Sequence, residues 1–469
     1  MAGYFQIGET KVRPGSYFNI GRSDSISTAD VINGVTAVIF RSDFGPLACA
    51  TKLGPDGEYE KIYGTGGTTD AIQQAFAGGA QTVVACRLGN GGTRAELILE
   101  GEDGEAAVTI SSKHPGSRDF SITIREKISG PNEKQCIIYS GTKELESIGF
   151  AAGENEAQAL AEAMAANAYF VVEVKEGKGG SVLKNTLQAK MAGGTDPTIK
   201  IEDYSDAFAA VEPYMFNTIC VDTEDPAVHL LLASFVERIF EGGNLTQAVI
   251  AEKSSIEFET RIARAAAYND EKINYVLNPK GDVSGVVLDG YQTAARIAGM
   301  IGAVSSKQSL THAEMAGYTD IHEKLTNSDI VRAEQNGCIV LSVSTKGKVW
   351  IDSAINTLVS PPEHKDDGWK KIRRVKTRFE LIRRCNEATD ELVGKVDNDS
   401  DGRKTILGQL IGVGQDMIAE GKLVSFGASE NTSYEADRDS CWFTVDVVDK
   451  DSAEHIYSFF RFQFSTIAV

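Results

Sequence analysis

Apolar positions change their spacing several times along the chain, and each change marks a new element. Residues 1–20 combine Gly3, Gly8, Pro14 and Gly15 with short extended runs such as Tyr17-Phe18-Asn19-Ile20. They offer no helical stripe, which predicts an arm more than a core element. From Val35 the texture changes: Val35 to Phe40 reads as a buried strand, Asp70 to Gly78 as a helix and Thr82 to Cys86 as a second buried strand. After Gly89-Asn90-Gly91-Gly92, Ala107 to Ser111 and Phe120 to Ile124 alternate apolar with polar, and Gln135 to Ser140 adds a third strand. An alanine-rich helix near Glu154 to Asn167 and a strand from Tyr169 to Val174 follow, before the turn signals of Gly193-Gly194-Thr195-Asp196-Pro197. Residues 94–196 therefore read as an inserted β-rich domain.

The α/β alternation then resumes. Strands are predicted at Thr218 to Val221, Gln247 to Ala251 and Ile273 to Leu277, with helices from Asp225-Pro226, near Ile256 to Ala267 and near Asp289 to Val304. Asp before Pro supplies an N-cap and a first helical residue, and Val228, Leu231, Leu232, Phe235, Val236 and Ile239 follow at helical spacing. Such alternation argues for a largely parallel sheet. Cys338 to Ser342 and Trp350-Ile351 read as edge strands before a Pro361-Pro362 linker. Beyond it, Ile372, Val375, Phe379, Ile382, Cys385 and Leu392 form one helical stripe, and Ile406, Leu407, Leu410, Ile411, Gly414, Met417 and Ile418 a second. The chain closes on strand patterns at Cys441 to Val448 and Phe459 to Ile467, where Phe460, Phe462 and Phe464 alternate with Arg461, Gln463 and Ser465.

A length of 469 residues fits roughly three domains, and the ordinary apolar and charged fractions exclude a disordered or collagen-like chain. The formal charge of −19 argues against whole-chain binding to nucleic acid or anionic membrane. Residues 346–469 hold 18 basic and 21 acidic groups, net −3, so residues 1–345 carry −16. The seven cysteines are scattered without a C-x-x-C pair, which speaks against a disulfide framework or a cysteine zinc site. Neither a secretory leader pattern nor an 18-residue apolar run is present, so synthesis and folding in a cytoplasm are expected, with no membrane insertion.

The candidate chemical motifs are weak. Gly64-Thr65-Gly66-Gly67-Thr68-Thr69-Asp70 precedes a helix but lacks the lysine of a P-loop and the G-x-G-x-x-G spacing, so a capped loop is the reading. Asp397-Asn398-Asp399-Ser400-Asp401-Gly402 copies the first half of an EF-hand loop, yet Gly408 stands where a bidentate Glu is needed, and a turn capping the next helix is expected instead. His114, His229, His312, His322, His364 and His455 show no metal-ligand spacing, and no G-x-S-x-G elbow occurs. No catalytic residue, metal or cofactor is expected. The strongest charge feature is Lys370, Lys371, Arg373, Arg374, Lys376, Arg378, Arg383 and Arg384, eight cations in fifteen residues with one acid, Glu380. Such a run needs either solvent or an acidic partner surface.

Several stretches together resemble contractile phage tail sheath proteins, including those of defective prophages and phage-tail-like bacteriocins. The most telling is Ile372-Arg373-Arg374-Val375 through Val393-Gly394-Lys395-Val396-Asp397-Asn398-Asp399-Ser400-Asp401-Gly402-Arg403, which looks like the family's helix, G-K-V-x-N-x-x-x-G-R turn and second helix. Arg13-Pro14-Gly15-Ser16-Tyr17, His114-Pro115-Gly116-Ser117, and Asp289-Gly290 through Ser309-Leu310-Thr311 match in the family's order over nearly the whole chain. The resemblance implies a multidomain α/β and α+β protein. It places an N-terminal arm at 1–20, a subtilisin-like α/β domain at 21–93 and 197–345, an outer β-rich insertion at 94–196, an inner α+β domain at 346–455 and a C-terminal strand or arm at 456–469.

It implies no proteolysis, because the G-T-S-M-A serine motif is absent. What it implies instead is a structural subunit forming hexameric rings in a helical sleeve around a tail tube protein, with baseplate and tail terminator proteins as further partners. Synthesis would be in a bacterial host cytoplasm and the mature location a particle tail. Lys370, Lys371, Arg373, Arg374, Lys376 and Arg378 are the expected tube contacts. Tyr17, Phe18, Ile20, Phe460, Phe462 and Phe464 are the expected inter-subunit strand residues, with an intramolecular hairpin onto Phe443, Val445 and Val447 as the alternative for the last strand. The competing functional class is an α/β hydrolase-like or nucleotide-binding enzyme using the strand ends of the middle domain.

Overall fold

The structure, a computed structural model, describes residues 3–4, 17–18, 33–57, 59–128, 130 and 132–462. Its centre is a seven-stranded sheet in the order Cys338–Ile339, Ile273–Val276, Gln247–Ala251, Thr218–Val221, Val35–Phe40, Thr82–Arg87 and Ala50–Leu53. All pairings are parallel except the last, in which Ala50–Leu53 runs antiparallel to Thr82–Arg87. These strands are apolar on both faces because both faces are covered. On one side the Asp70–Ala77 and Gly290–Ala303 helices pack over Val38, Phe40, Val83, Ala85, Cys220 and Val249. On the other, helices Ile201–Val211, Pro226–Glu241 and Phe258–Tyr268 cover Ala37, Ile39, Val84, Ile219, Val221 and Ile250. Asp225 caps the second of these, its Oδ1 accepting from the Ala227 amide at 2.9 Å, with Pro226 as the first helical residue.

The two helices on the first side approach to backbone contact. An ideal Cβ on Gly299 would lie 2.1 Å from the Ala75 carbonyl oxygen, and one on Gly78 would lie 2.0 Å from that of Arg296. Glycine is required at this crossing by proximity, since neither residue has a positive φ.

Residues 94–196 fold into two antiparallel sheets around a separate apolar cluster that includes Leu99, Ile110, Phe120, Ile122, Ile138, Leu160 and Phe170. The four-stranded sheet runs Lys143–Ala151, Glu133–Ser140, Phe120–Glu126, Thr186–Lys190, and the three-stranded one Phe170–Val174, Ala106–Ser112, Glu96–Glu100. Arg87, at the end of a central strand, seams this unit to the main sheet. Its fully buried guanidinium donates to Ser42 O at 2.7 and 3.1 Å, Gly45 O at 2.7 Å and Pro115 O at 2.8 Å. Arg118 adds a second seam, donating to Lys61 O and Ser140 Oγ while lying over Phe44, Phe120 and Tyr169.

The last part contains the Ile372–Asp390 and Ser400–Ala419 helices and a hairpin of Leu423–Glu430 with Phe443–Asp449. Asp399 caps the second helix through the Asp401 and Gly402 amides at 3.0 and 2.8 Å, as its turn motif predicts. Val375 and Phe379 join Phe240, Leu245, Leu358 and Trp369, so the first helix is buried against the middle of the chain. Tyr17–Phe18 forms a short strand that pairs in parallel with Gly3–Tyr4; Ile20 and Phe464 lie outside the described residues.

Candidate functional site

The strand ends of the central sheet are the place where an α/β enzyme would hold a ligand. Here they are closed by the chain's own side chains. Asp222, directly after the Thr218–Val221 strand, has a fully buried side chain that accepts from Arg41 Nε at 2.6 Å, Thr68 Oγ1 at 2.6 Å and Tyr204 OH at 2.8 Å. The Gly64 to Asp70 loop thus serves to bring Thr68 onto Asp222. His229 is not its partner: the ring Nε2 sits 2.9 Å from Thr223 O, and burial pushes the imidazole down to about 4, so it is neutral and donates to that carbonyl. Among the described residues no group of three His, Cys, Asp or Glu side chains is arranged to hold a metal ion.

The cationic run meets its acids within the subunit. Arg374 holds Asp449 through Nε at 2.8 Å and a terminal nitrogen at 2.5 Å. Arg378 contacts the same carboxylate at 3.1 Å and reaches Asp366 at 2.6 and 2.9 Å. Lys371 bridges Asp451 at 2.8 Å and Glu454 at 3.0 Å, and Arg373 donates to Ser452 Oγ at 2.6 Å. Lys376 turns into the protein, where it donates to Asn33 Oδ1 at 3.0 Å, Gly302 O at 2.9 Å and Val304 O. It closes the C-terminal end of the Gly290–Ala303 helix, and burial pushes its ammonium down to about 7. Lys370 pairs with exposed Asp367 at 3.0 Å and is itself more than one-third exposed. Each of the six residues expected as tube contacts thus has an oxygen partner within the chain, that of Lys370 being the exposed Asp367.

The partner acids were not picked out by sequence reasoning, although Asp449, Asp451 and Glu454 crowd into six residues of a chain whose cations crowd near 370. That complementarity is the signal that points to them. Burial would raise the Asp449 carboxyl, but Arg374 and Arg378 outweigh it and hold the group below the usual carboxylate range.

Among the described residues, no side chain beyond Glu454 makes a hydrogen bond or an ion pair. Residues 455–462 carry no regular secondary structure and are all exposed, including Ile456, Tyr457, Phe459, Phe460 and Phe462, the last at 91%. A strand over the described Phe459 to Phe462 is therefore not formed inside the subunit. The hairpin alternative is corrected as well for these residues, which form no strand and pair with no part of Phe443–Asp449, whose one described partner is Leu423–Glu430. Monomers seldom leave such a run of aromatics in water.

Comparison with known proteins supplies the context for this geometry. Residues 198–357 match the family model of the phage tail sheath protein central domain. The phage-like element PBSX protein XkdK of Bacillus subtilis is 23% identical over 499 residues, covering 97% of this chain and 98% of that protein. The sheath tail protein from Desulfitobacterium hafniense shares the fold with a TM-score of 0.70 at 19% identity, over 90% of this chain and 97% of that one. The helical sheath of the anti-feeding prophage in its contracted state does so with a TM-score of 0.53 at 13% identity, over 97% and 99%. Residues 198–357 are thus similar to the central domain of phage tail sheath proteins, and the likeness in fold to solved tail sheath proteins extends over nearly the whole chain.

Proposed function

We propose that this protein is the structural subunit of a contractile sheath, that its copies stack as hexameric rings in a helical sleeve around a tail tube, and that contraction drives the tube through a cell envelope. One observation carries the reading: a subunit with closed apolar cores ends in an exposed segment, 455–462, holding Ile456, Tyr457, Phe459, Phe460 and Phe462. Such a segment is a hazard in a monomer and a connector in a polymer. The hairpin of Leu423–Glu430 and Phe443–Asp449 keeps outer edges that no other described strand covers, which offers a neighbour's arm a place to add.

In this reading Tyr17, Phe18, Ile20, Phe460, Phe462 and Phe464 contribute the inter-subunit strands. Residues 21–93 and 197–345 form a subtilisin-like body without its catalytic triad, 94–196 the outer domain and 346–455 the inner domain that faces the tube, flanked by arms at 1–20 and 456–469. Lys370, Lys371, Arg373, Arg374, Lys376 and Arg378 contribute the face toward an acidic tube surface, and the Lys370 side chain, at 36%, is more exposed than those of Lys371, Arg374 and Arg378. Baseplate and terminator proteins close the sleeve at its ends. The protein is made in a bacterial cytoplasm and works in the particle tail. The energy of contraction comes from repacking between subunits, with no nucleotide and no catalysis. Electron microscopy of the purified protein, alone and with its tube protein, tests the proposal: hollow sleeves of two diameters are expected, and a particle that stays monomeric with tubes present overturns it.

A further inference from the structure

The boundary between the fixed and the exposed part of the C-terminal tail is sharp. Asp449 is gripped by Arg374 and Arg378, the Lys450 amide donates to Lys422 O at 3.1 Å, and Asp451 and Glu454 both reach Lys371. Ser452 accepts from Arg373, and the other oxygen of Glu454 accepts from Ser309 Oγ at 2.9 Å and Thr311 Oγ1 at 3.1 Å. Every residue from 455 to 462 is exposed. Four cations from the start of one helix thus hold the last six residues before the tail departs. The part of this grip at Lys371 and Arg373 lies past the apolar cores, which among the described residues contain none beyond Val447.

We infer that Lys371, together with Arg373, Arg374 and Arg378, is an anchor for the root of the C-terminal arm: a set of positioning residues that fixes the direction in which residues 455–462 leave the subunit and so presents them to a second copy of this chain. The inference rests on the strand-adding reading given above and specifies what prepares the arm for it. A segment that must find one edge on a neighbour binds more tightly when its exit is already oriented, because less freedom is lost on pairing. The shielded ions suit this task. They are directional, and they hold a polar stretch of chain that has no apolar side chains with which to pack.

The test uses the full chain and scores sleeve formation by electron microscopy beside the thermal melt of the unassembled subunit. Lys371→Met and Glu454→Gln are each expected to lower the yield of sleeves about tenfold, the scale on which one partner of a shielded charge pair matters. The melting midpoint should fall far less than in Asp449→Ala, since Lys371 and Glu454 are partly exposed, and Lys371→Arg should retain assembly. Combining Lys371→Met with Glu454→Gln should cost less than the sum of the two, since both break the Lys371–Glu454 contact while Lys371 also holds Asp451 and Glu454 also holds Ser309 and Thr311. Full additivity of the two would overturn the inference. If Lys371→Met fails to fold, Glu454→Gln and Asp451→Asn, which lie in the tail outside every core, decide the matter. A chain lacking 455–469 separates the two levels. If it does not assemble while Glu454→Gln and Lys371→Met assemble normally, the anchor is wrong and the strand-adding reading stands; if it forms normal sleeves, both fall.

Discussion

Arg374 and Asp449 meet side by side, with Nε 2.8 Å from one carboxylate oxygen and a terminal nitrogen 2.5 Å from the other. The Asp449 side chain is only 4% exposed and the Arg374 side chain 19%. Removing the acid strands two guanidiniums, because Arg378 shares it. Asp449→Ala is expected to cost about 3 kcal/mol, measured as a shift in the urea midpoint of the unassembled subunit. An unchanged midpoint would mean that the two arginines find water or Asp366 at no loss.

Acid should unpick the same region. The Asp449 carboxyl lies below its ordinary value despite burial, owing to Arg374 and Arg378; that of Asp366 does so despite burial, owing to Arg378 and Arg374; that of Asp451 does so despite burial, owing to Lys371. A carboxyl whose folded value is depressed adds stability that is complete above the unfolded value, about 3.9, and is lost as pH falls through the folded one. Thermal melts from pH 6 downward should therefore fall steeply below about pH 4. The slope should be shallower in Asp449→Asn.

Glu334 contributes with the opposite sign. Burial and neighbouring Asp352 push its carboxyl up to about 7. The folded state thus binds the extra proton between the unfolded value, about 4.3, and pH 7, and stability declines as pH rises through that window. Glu334→Gln removes the decline, and the variant should melt higher than the parent at pH 8 and about equally at pH 4. A parallel offset at both pH values would count against the assignment.

The glycine crossing gives a purely steric prediction. Alanine ordinarily favours a helix interior over glycine by about 1 kcal/mol. At Gly299 the new Cβ would meet the Ala75 carbonyl oxygen at 2.1 Å, a backbone atom that cannot swing aside. Overpacking of about 1–3 kcal/mol then wins, so Gly299→Ala should lower the melting temperature. A rise would show that the two helices slide apart freely.

At the seam, Arg87→Met keeps much of the volume and removes every donor. Ser42, Gly45 and Pro115 would lose their shared guanidinium. Limited proteolysis should then release residues 94–196 from the body at protease levels that leave the parent intact, with an expected stability loss of about 2–4 kcal/mol.

What is legible in the sequence follows from how each element is buried. Val35–Phe40, Thr82–Arg87, Gln247–Ala251 and Ile273–Val276 stand out because they are covered on two faces and read as mostly apolar runs with no polar alternation. Lys143–Ala151, the edge of its sheet, does not: KELESIGFA buries only Phe150, and its register slips between Glu144 and Glu146. The Asn327–Gln335 helix buries only Ala333 and leaves equally little trace. For the candidate site, the eight clustered cations announce that charge has to be met. They cannot announce where, since Arg378 and Asp449 are 71 residues apart and no local pattern links them.

The two ends of the inserted unit touch. Thr93 and Thr195 share a backbone hydrogen bond at 3.2 Å, and their hydroxyls lie 2.7 Å apart. The covalent path therefore leaves and re-enters the body at one place, whatever the length of the excursion, and the Arg87 and Arg118 seams hold the unit against the body beyond it. A foreign module with neighbouring termini could be exchanged for it there without stretching the central sheet.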